Sequence, residues 1–190
     1  PQVVATGRTA GRHDAVAATP DPAVRTALAT AGLHAEHEAG AAMLALALVA
    51  RRLRRDPTDV VADLAPALAT FRPLPHRLRP IARTGDVTWV DDSIATIPEA
   101  TLGALATWRP RGAVTLLLGG EDRGQDLSGL VAALADGAVR AALLGALGRR
   151  LAPALADAGV PLGGGRIAVV DDLAAAVAWA ADVTPAGGAV

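Results

Sequence analysis

The run Val114-Thr115-Leu116-Leu117-Leu118, followed directly by Gly119-Gly120, decides the fold of this 190-residue chain. Its β-branched and aliphatic residues are continuous instead of alternating with polar ones, which is typical of a strand covered on both faces. Strands of this kind belong to parallel sheets, whose crossover connections are usually helices. The run therefore predicts an α/β domain.

The segments on both sides of this run alternate between strand and helix patterns. We expect strands at Val87 to Val90, Ala113 to Leu118, Ala138 to Leu144 and Ile167 to Val170, and helices at Pro98 to Trp108, Asp126 to Leu134, Leu147 to Ala158 and Leu173 to Ala181. This order predicts right-handed βαβ units around a mostly parallel sheet. Because ligands bind such sheets at the carboxyl ends of the strands, Asp91 to Thr96 and Gly119 to Asp126 form a candidate site.

The first third of the chain has helical patterns and no strand pattern. We expect a short helix from Ala23 to Ala31, a long one from about Glu36 to Arg54, and another that starts at Pro57 with Asp56 as its N-cap. The apolar stretch Ala39 to Ala50 is shorter than the roughly 20 residues of a membrane-spanning helix. It therefore predicts a buried helix and no insertion into a membrane.

Two prolines interrupt the helical pattern in Phe71-Arg72-Pro73-Leu74-Pro75-His76-Arg77. Since proline cannot continue the preceding helix, this segment indicates an interdomain linker. It divides the chain into residues 1–72 and residues 73–190. Pro1 to Val4 contain neither an initiator methionine nor a signal-peptide pattern, so we expect the chain to begin inside a longer protein.

Composition limits the classes of function that are open to the chain. The formal net charge of −1 argues against a nucleic-acid partner held by bulk electrostatics. The absence of cysteine excludes disulfides and thiolate metal sites and is compatible with the cytoplasm. All eighteen basic residues are arginine, so any chemistry that requires a lysine is absent from this chain.

The acidic and hydroxyl residues of Asp91-Asp92-Ser93-Ile94-Ala95-Thr96 lie between an expected strand and the helix at Pro98. Free backbone N–H groups at a helix start favour an anion, and these side chains can hold a ribose, a metal-bound phosphate or an amino acid. The alternative is that Ser93 or Thr96 caps the helix. Taken alone, the stretch favours capping.

A second cluster follows the buried strand, in Gly119-Gly120-Glu121-Asp122-Arg123-Gly124-Gln125-Asp126. Paired glycines permit a close backbone approach to a ligand, and Arg123 can clamp a carboxylate or phosphate. The alternative is a flexible loop with solvated charges and Asp126 as the helix N-cap. The spacing is not G-x-G-x-x-G and does not support a dinucleotide site, while Gly163-Gly164-Gly165 predicts a plain turn.

Histidines supply two further candidates. His76 and Arg77 lie on the linker, where a cation can reach a ligand held between domains, and a loop salt bridge is an equal alternative. His34 and His37 flank Glu36 and Glu38, but a histidine pair without a third ligand is a weak metal signal, and we predict no metal site there.

In their order along the chain, these motifs resemble those of the Mur ligases, and especially the glutamate-adding MurD type. The matching segments are Gly32-Leu33-His34 before an Ala-rich helix, the hinge-like Phe71-Arg72-Pro73-Leu74-Pro75-His76-Arg77-Leu78, Trp89 to Thr96, and the Gly-Gly loop from Leu117 to Asp126. The resemblance covers roughly residues 32–182. It implies that residues 1–72 end the central ATPase domain and that residues 73–190 form a Rossmann-like C-terminal domain without its last segment.

The resemblance also implies a reaction and roles for individual residues. Members use ATP and Mg²⁺ to phosphorylate a carboxylate of a UDP-N-acetylmuramoyl precursor, and the incoming amino acid then attacks the acyl phosphate. Arg77, His76 and Asp92 correspond to the ATP-binding residues, and Thr96, Arg123 and Ser93 to those that bind glutamate. The implied protein is a cytoplasmic, monomeric peptidoglycan-synthesis enzyme that uses UDP-N-acetylmuramoyl-L-alanine and glutamate as substrates.

Several positions depart from the pattern of the family. Ile94 and Arg123 replace lysines, and Ala35 and Glu38 replace asparagines. The Asp-Asp-Ser-Ile sequence and the Asp-Arg-Gly of the loop favour the branch that adds L-glutamate. Neither a P-loop nor a lysine for carbamylation occurs, so the catalytic residues are unknown and the chain alone is expected to be inactive. The alternatives are a degenerate, non-catalytic binding module and an unrelated α/β nucleotide-binding module.

Overall fold

The computed structural model of the chain describes Thr26, residues 36–70 and residues 74–190. The helix predicted from Ala23 to Ala31 lies outside the described residues except for Thr26. The segment Gly32 to Ala35 and the start of the linker, Phe71 to Pro73, lie outside them as well.

Two helices precede the linker, as the sequence predicts. Helix α1 spans Glu36–Leu53 and helix α2 spans Pro57–Thr70. Arg51 and Arg52 lie in the last turn of α1, at the negative end of its dipole. Among the described residues, no helix has the length and apolar content that a membrane crossing requires.

The parallel sheet predicted from the Val114 run is confirmed. Strands β3 (Val114–Leu118), β4 (Val139–Leu143) and β5 (Ile167–Val169) pair in that order, all parallel. The helices around them are α3 (Pro98–Trp108), α4 (Ser128–Ala135), α5 (Gly145–Asp157) and α6 (Leu173–Val183), and a short 3₁₀ turn, Arg109–Arg111, follows α3. All four helices predicted after the linker are present, α3 with the predicted bounds and the others with ends shifted by one or two residues.

An antiparallel hairpin precedes this sheet, and only its second strand was predicted. Strand β1 (Arg79–Thr84) pairs with β2 (Val87–Asp91), so the linker leads directly into a strand. Every residue of β1 is exposed, which explains why its sequence lacks the apolar alternation of a half-buried strand. The chain's last residues join hairpin and sheet, since Ala189 bridges both Thr88 and Val114.

The hydrophobic core lies between the parallel sheet and its helices. It consists of aliphatic side chains, and its largest fully buried members include Leu143, Leu151, Leu155 and Ile167. This core holds the ends of β3 and β4 in place, and the loop that follows β3 forms part of the site described next.

Candidate functional site

A cavity of about 170 Å³ lies beyond the carboxyl ends of β2 and β3, where the sequence predicted a site. The segment from Ser93 to Pro98 and the loop that begins at Gly119 line it. The volume is below the roughly 300–1,000 Å³ of pockets for drug-sized ligands, so the cavity suits a molecule of amino-acid size. Of the predicted site residues, Ser93, Thr96 and Arg123 line this cavity together.

The first segment of the cavity wall is shaped by a turn and not by helix capping. Helix α3 has Ile97 as its N-cap without any side-chain hydrogen bond, and Pro98 lies in its first turn. Capping by Ser93 or Thr96, which this stretch alone favoured, is therefore wrong. The chain turns before the helix begins, with the amide of Ala95 donating to the carbonyl of Asp92 at 2.8 Å, so both hydroxyls remain exposed beside the cavity.

Asp91 fixes this turn and ties it to the linker. Its Oδ1 accepts a hydrogen bond from the amide of Ser93 at 3.0 Å, and its Oδ2 accepts one from Nδ1 of His76 at 2.7 Å. The Ser93 backbone and hydroxyl and, more weakly, His76 hold the pKa of the Asp91 carboxyl below its usual range, because all of them favour the ionised form.

Acidification is therefore expected to release these contacts. The pKa of Asp91 is lower in the folded chain than its unfolded value of about 3.9. Its contacts therefore stabilise the folded chain fully above about pH 3.9, and this stabilisation is lost as the pH falls through the folded-state pKa. Titration of the Asp91 carboxyl by NMR should place its pKa below 3.9 in the folded chain. His76→Ala should return this pKa only partway to its ordinary value, because the Ser93 amide still donates to the Asp91 carboxylate. A wild-type pKa at or above the ordinary value would contradict the assignment.

At the end of the linker the backbone is strained, and the segment that follows β2 holds it in place. His76 and Leu78 both have positive φ angles, of 64° and 45°, which are uncommon for residues other than glycine. The carbonyl of His76 accepts from the amide of Ile94 at 3.2 Å, and the amide of Leu78 donates to Oδ1 of Asp92 at 3.1 Å. These bonds secure both sides of Arg77.

The three residues predicted to bind ATP, Arg77, His76 and Asp92, thus lie close together at the end of the linker. None of them lines the cavity. The salt-bridge alternative is correct for His76, which pairs with Asp91. It is not realised for Arg77, which is half-buried and makes no ion pair or hydrogen bond with residues 36–70 or 74–190. Asp92 accepts from the Leu78 amide, which the sequence did not indicate.

The second segment of the wall is the loop after β3. A Cβ at Gly119 would lie 2.7 Å from Cγ of Leu144, so packing against the neighbouring strand requires the first glycine of the pair. Gly120 has a φ of 105° and open space where a Cβ would lie. The predicted Asp126 N-cap is wrong, because α4 begins at Ser128 with Leu127 as N-cap, and Asp126 instead accepts from the Ser128 amide at 2.9 Å.

Arg150, which the sequence analysis missed, holds this loop. From α5 it donates to Oδ1 of Asp122 at 2.7 Å and to the carbonyl of Gln125 at 2.6 Å. Nε2 of Gln125 in turn donates to the carbonyl of Thr96 at 2.8 Å, which joins the two walls of the cavity. The loop charges are therefore not all solvated, although Arg123 itself makes no ion pair or hydrogen bond within the described part of the chain.

Metal binding has no support in this part of the molecule. The described residues include no group of three or more histidine and acidic side chains that could hold an ion. His34 lies outside the described residues, so the weak signal of His34 and His37 stays untested. The turn predicted at Gly163 to Gly165 is confirmed, with the Gly163 amide bonded to the carbonyl of Ile167.

Comparison with known proteins gives a consistent result. Residues 76–190 match the family model described as Mur ligase, glutamate ligase domain. The chain is 40% identical over 157 residues to the UDP-N-acetylmuramoyl-L-alanine–L-glutamate ligase of Micromonospora sp., which covers 81% of this chain and 33% of that enzyme. It is 41% identical over 130 residues to the enzyme of the same name from Xanthomonas campestris pv. campestris, covering 68% of this chain and 27% of that enzyme.

A relative that is named as a D-glutamate ligase is nearly as similar to this chain. The UDP-N-acetylmuramoylalanine–D-glutamate ligase of Dechloromonas aromatica is 37% identical over 164 residues, which cover 86% of this chain and 33% of that enzyme. This chain thus spans about a third of the length of the curated relatives it matches.

Proposed function

The chain belongs to the Mur ligase family, through its glutamate ligase domain, and from this premise we propose that it is the amino-acid-selecting part of a glutamate ligase. The intact enzyme would add glutamate to UDP-N-acetylmuramoyl-L-alanine at the expense of ATP, in the synthesis of peptidoglycan precursors. The names of the relatives support this reaction. As the family resemblance implies, we propose that the enzyme is cytoplasmic and monomeric.

The observation that carries the proposal is the cavity that joins Ser93, Thr96 and Arg123. Glutamate has two carboxylates, and the planar guanidinium of Arg123 can bind one of them through two parallel hydrogen bonds. Because Arg123 has no ion pair with the residues that the structure describes, it needs no rearrangement to accept an anion. The hydroxyls of Ser93 and Thr96 supply weaker, uncharged contacts on the opposite wall.

The hinge residues suit the first step of the proposed reaction, in which ATP phosphorylates the carboxylate. Arg77 lies between two fixed residues with no ion pair inside the described part of the chain, as a group that binds ATP phosphates on domain closure would. Asp92, whose Oδ1 accepts from the Leu78 amide, would also accept from the ribose hydroxyls. His76 would support Arg77 through Asp91. Residues 1–72 would then end the central domain and residues 73–190 form the C-terminal domain.

The chemistry of this proposal cannot be completed by the chain alone. The sequence contains no lysine and no P-loop. Mg²⁺ is usually held by one or two carboxylates, by water and by the phosphates of the substrate, and in the intact enzyme ATP and the rest of the central domain would supply these ligands. The contribution of this chain would be to bind glutamate, to orient its amine and, on closure, to keep water from the acyl phosphate. We therefore propose that the chain alone is inactive.

A non-catalytic binding module is the second candidate. It is favoured by Ile94, which is exposed at the position where the resemblance places a lysine. An exposed isoleucine supplies no positive charge for an anionic substrate. An activity measurement is therefore needed to distinguish a ligase from a binding module.

The test is ATP-dependent phosphate release by a full-length protein that contains this chain. We expect release only when UDP-N-acetylmuramoyl-L-alanine and glutamate are both present, and L- and D-glutamate are supplied separately to establish handedness. L-glutamate is our expectation, because the Asp91 to Thr96 sequence favours that branch. Nucleotide binding without phosphate release with either isomer would instead support the non-catalytic module.

A further inference from the structure

We propose that Arg150 is a positioning residue for the glutamate site, which keeps Arg123 available to the substrate. This inference deepens the proposed function and rests on it. Arg150 does not line the cavity, so it would act only through the loop that it holds.

The loop has little structure of its own. It lies between β3 and α4, carries positive φ angles at Gly120 and Gly124, and forms neither helix nor strand from Gly119 to Leu127. Glycine-rich backbone of this kind has many accessible conformations, and contacts from outside the loop must select one of them. Arg150 supplies two such contacts, one on each side of Arg123, at Asp122 and Gln125.

The contact with Asp122 has a second consequence, which concerns charge. Asp122 is adjacent to Arg123 in sequence, and its carboxylate is the nearest competitor along the chain for the Arg123 guanidinium. The Gly124 amide and Arg150 both donate to Oδ1 of that carboxylate and hold its pKa below the usual range. Arg150 thus neutralises the acid that would otherwise attract Arg123, and it leaves the charge of Arg123 for an anionic ligand.

The contact with Gln125 extends the effect to the other wall. Arg150 holds the Gln125 carbonyl, and the Gln125 side chain binds the carbonyl of Thr96 at 2.8 Å. One guanidinium therefore sets the separation between Arg123 and Thr96, the two residues proposed to contact glutamate. Because binding depends on both at once, a small displacement of either should weaken it.

The test compares Arg150→Ala with Arg149→Ala in the full-length protein. Arg149 is the preceding residue of the same helix, exposed and without an ion pair or hydrogen bond among the described residues, so it controls for the loss of one charge. We expect Arg150→Ala to raise the KM for glutamate roughly tenfold, with kcat and the KM for ATP close to wild type. Since the pair with Asp122 is partly exposed, the thermal midpoint should change by no more than about 4 °C.

A double variant separates the charge effect from loop positioning. In Arg150→Ala with Asp122→Asn the competing acid is gone, and the KM for glutamate should fall roughly threefold below that of Arg150→Ala. An equal KM in the single and double variants would overturn the charge effect. An unchanged KM for glutamate in Arg150→Ala, in an active enzyme, would overturn the inference as a whole.

A structural measurement distinguishes failure of this inference from failure of the proposed function. Amide hydrogen exchange at Gly124, whose N–H donates to Asp122 at 2.9 Å, should accelerate in Arg150→Ala and not in Arg149→Ala. If the wild type releases no phosphate with either glutamate isomer, the proposed function fails and the substrate role of Arg150 fails with it. If the wild type is active and exchange at Gly124 is the same in both variants, only the positioning role is overturned.

Discussion

Replacing Arg123 with alanine is expected to raise the KM for glutamate roughly 10- to 100-fold in the full-length enzyme, which is the range for a lost hydrogen-bonded charge pair. The reason is that Arg123 is the only arginine among the described residues that line the cavity, and the other charged side chain among them, Glu121, repels a carboxylate. The KM values for ATP and for UDP-N-acetylmuramoyl-L-alanine should stay close to wild type, because both would bind away from this wall. Steady-state phosphate release at varied glutamate concentration measures the effect.

Two further variants give this prediction its controls. Arg123→Lys keeps the positive charge but loses the planar fork, so its KM should lie between those of wild type and Arg123→Ala. Arg149→Ala removes an exposed arginine of α5 and should leave the KM unchanged. A KM for glutamate that is the same in Arg123→Ala and in wild type would remove Arg123 from the binding site.

The sequence predicted those parts of the fold that depend on local pattern. The Val114 run identified the buried parallel strand, and the helices around it followed from their apolar spacing. Strand β1 was missed because a fully exposed strand has no buried face to impose alternation on its residues. Capping at Ser93 and Thr96 was predicted wrongly because a turn held by Asp91 precedes the helix, and that carboxylate was read only as a candidate ligand.

The candidate site shows the same difference between local and long-range information. Ser93, Thr96 and Arg123 were predicted as site residues because each lies in a segment that follows a strand, and the structure places them around one cavity. Arg150 lies 27 positions after Arg123 in the numbering, within a helix whose sequence, Gly145–Asp157, contains a second and equivalent arginine. Only the packing of α5 against the loop distinguishes the arginine that holds the site from the one that faces solvent.

The largest expected effect on stability is that of Leu143→Ala, which should lower the free energy of unfolding by about 2–5 kcal/mol. Leu143 ends the central strand β4 and is fully buried, with 0% of its surface exposed. A cavity there would remove contacts beneath α5, whose Gly148 packs on Leu143, and beside Leu118, which pairs with Leu143 at the end of β3. Leu173→Ala is the control, because Leu173 is 60% exposed and a surface substitution should change stability by no more than about 0.5 kcal/mol.

Urea unfolding of the 190-residue chain, followed by circular dichroism, compares the two variants with wild type. We expect Leu143→Ala to shift the unfolding midpoint to lower urea while the denaturant slope stays constant, since the surface exposed on unfolding hardly changes. The loss is a large part of the roughly 5–15 kcal/mol that stabilises an ordinary domain. Equal unfolding midpoints for Leu143→Ala and Leu173→Ala would mean that β4 is not the centre of the core. The core would then not be what holds the strand ends that carry the proposed glutamate site.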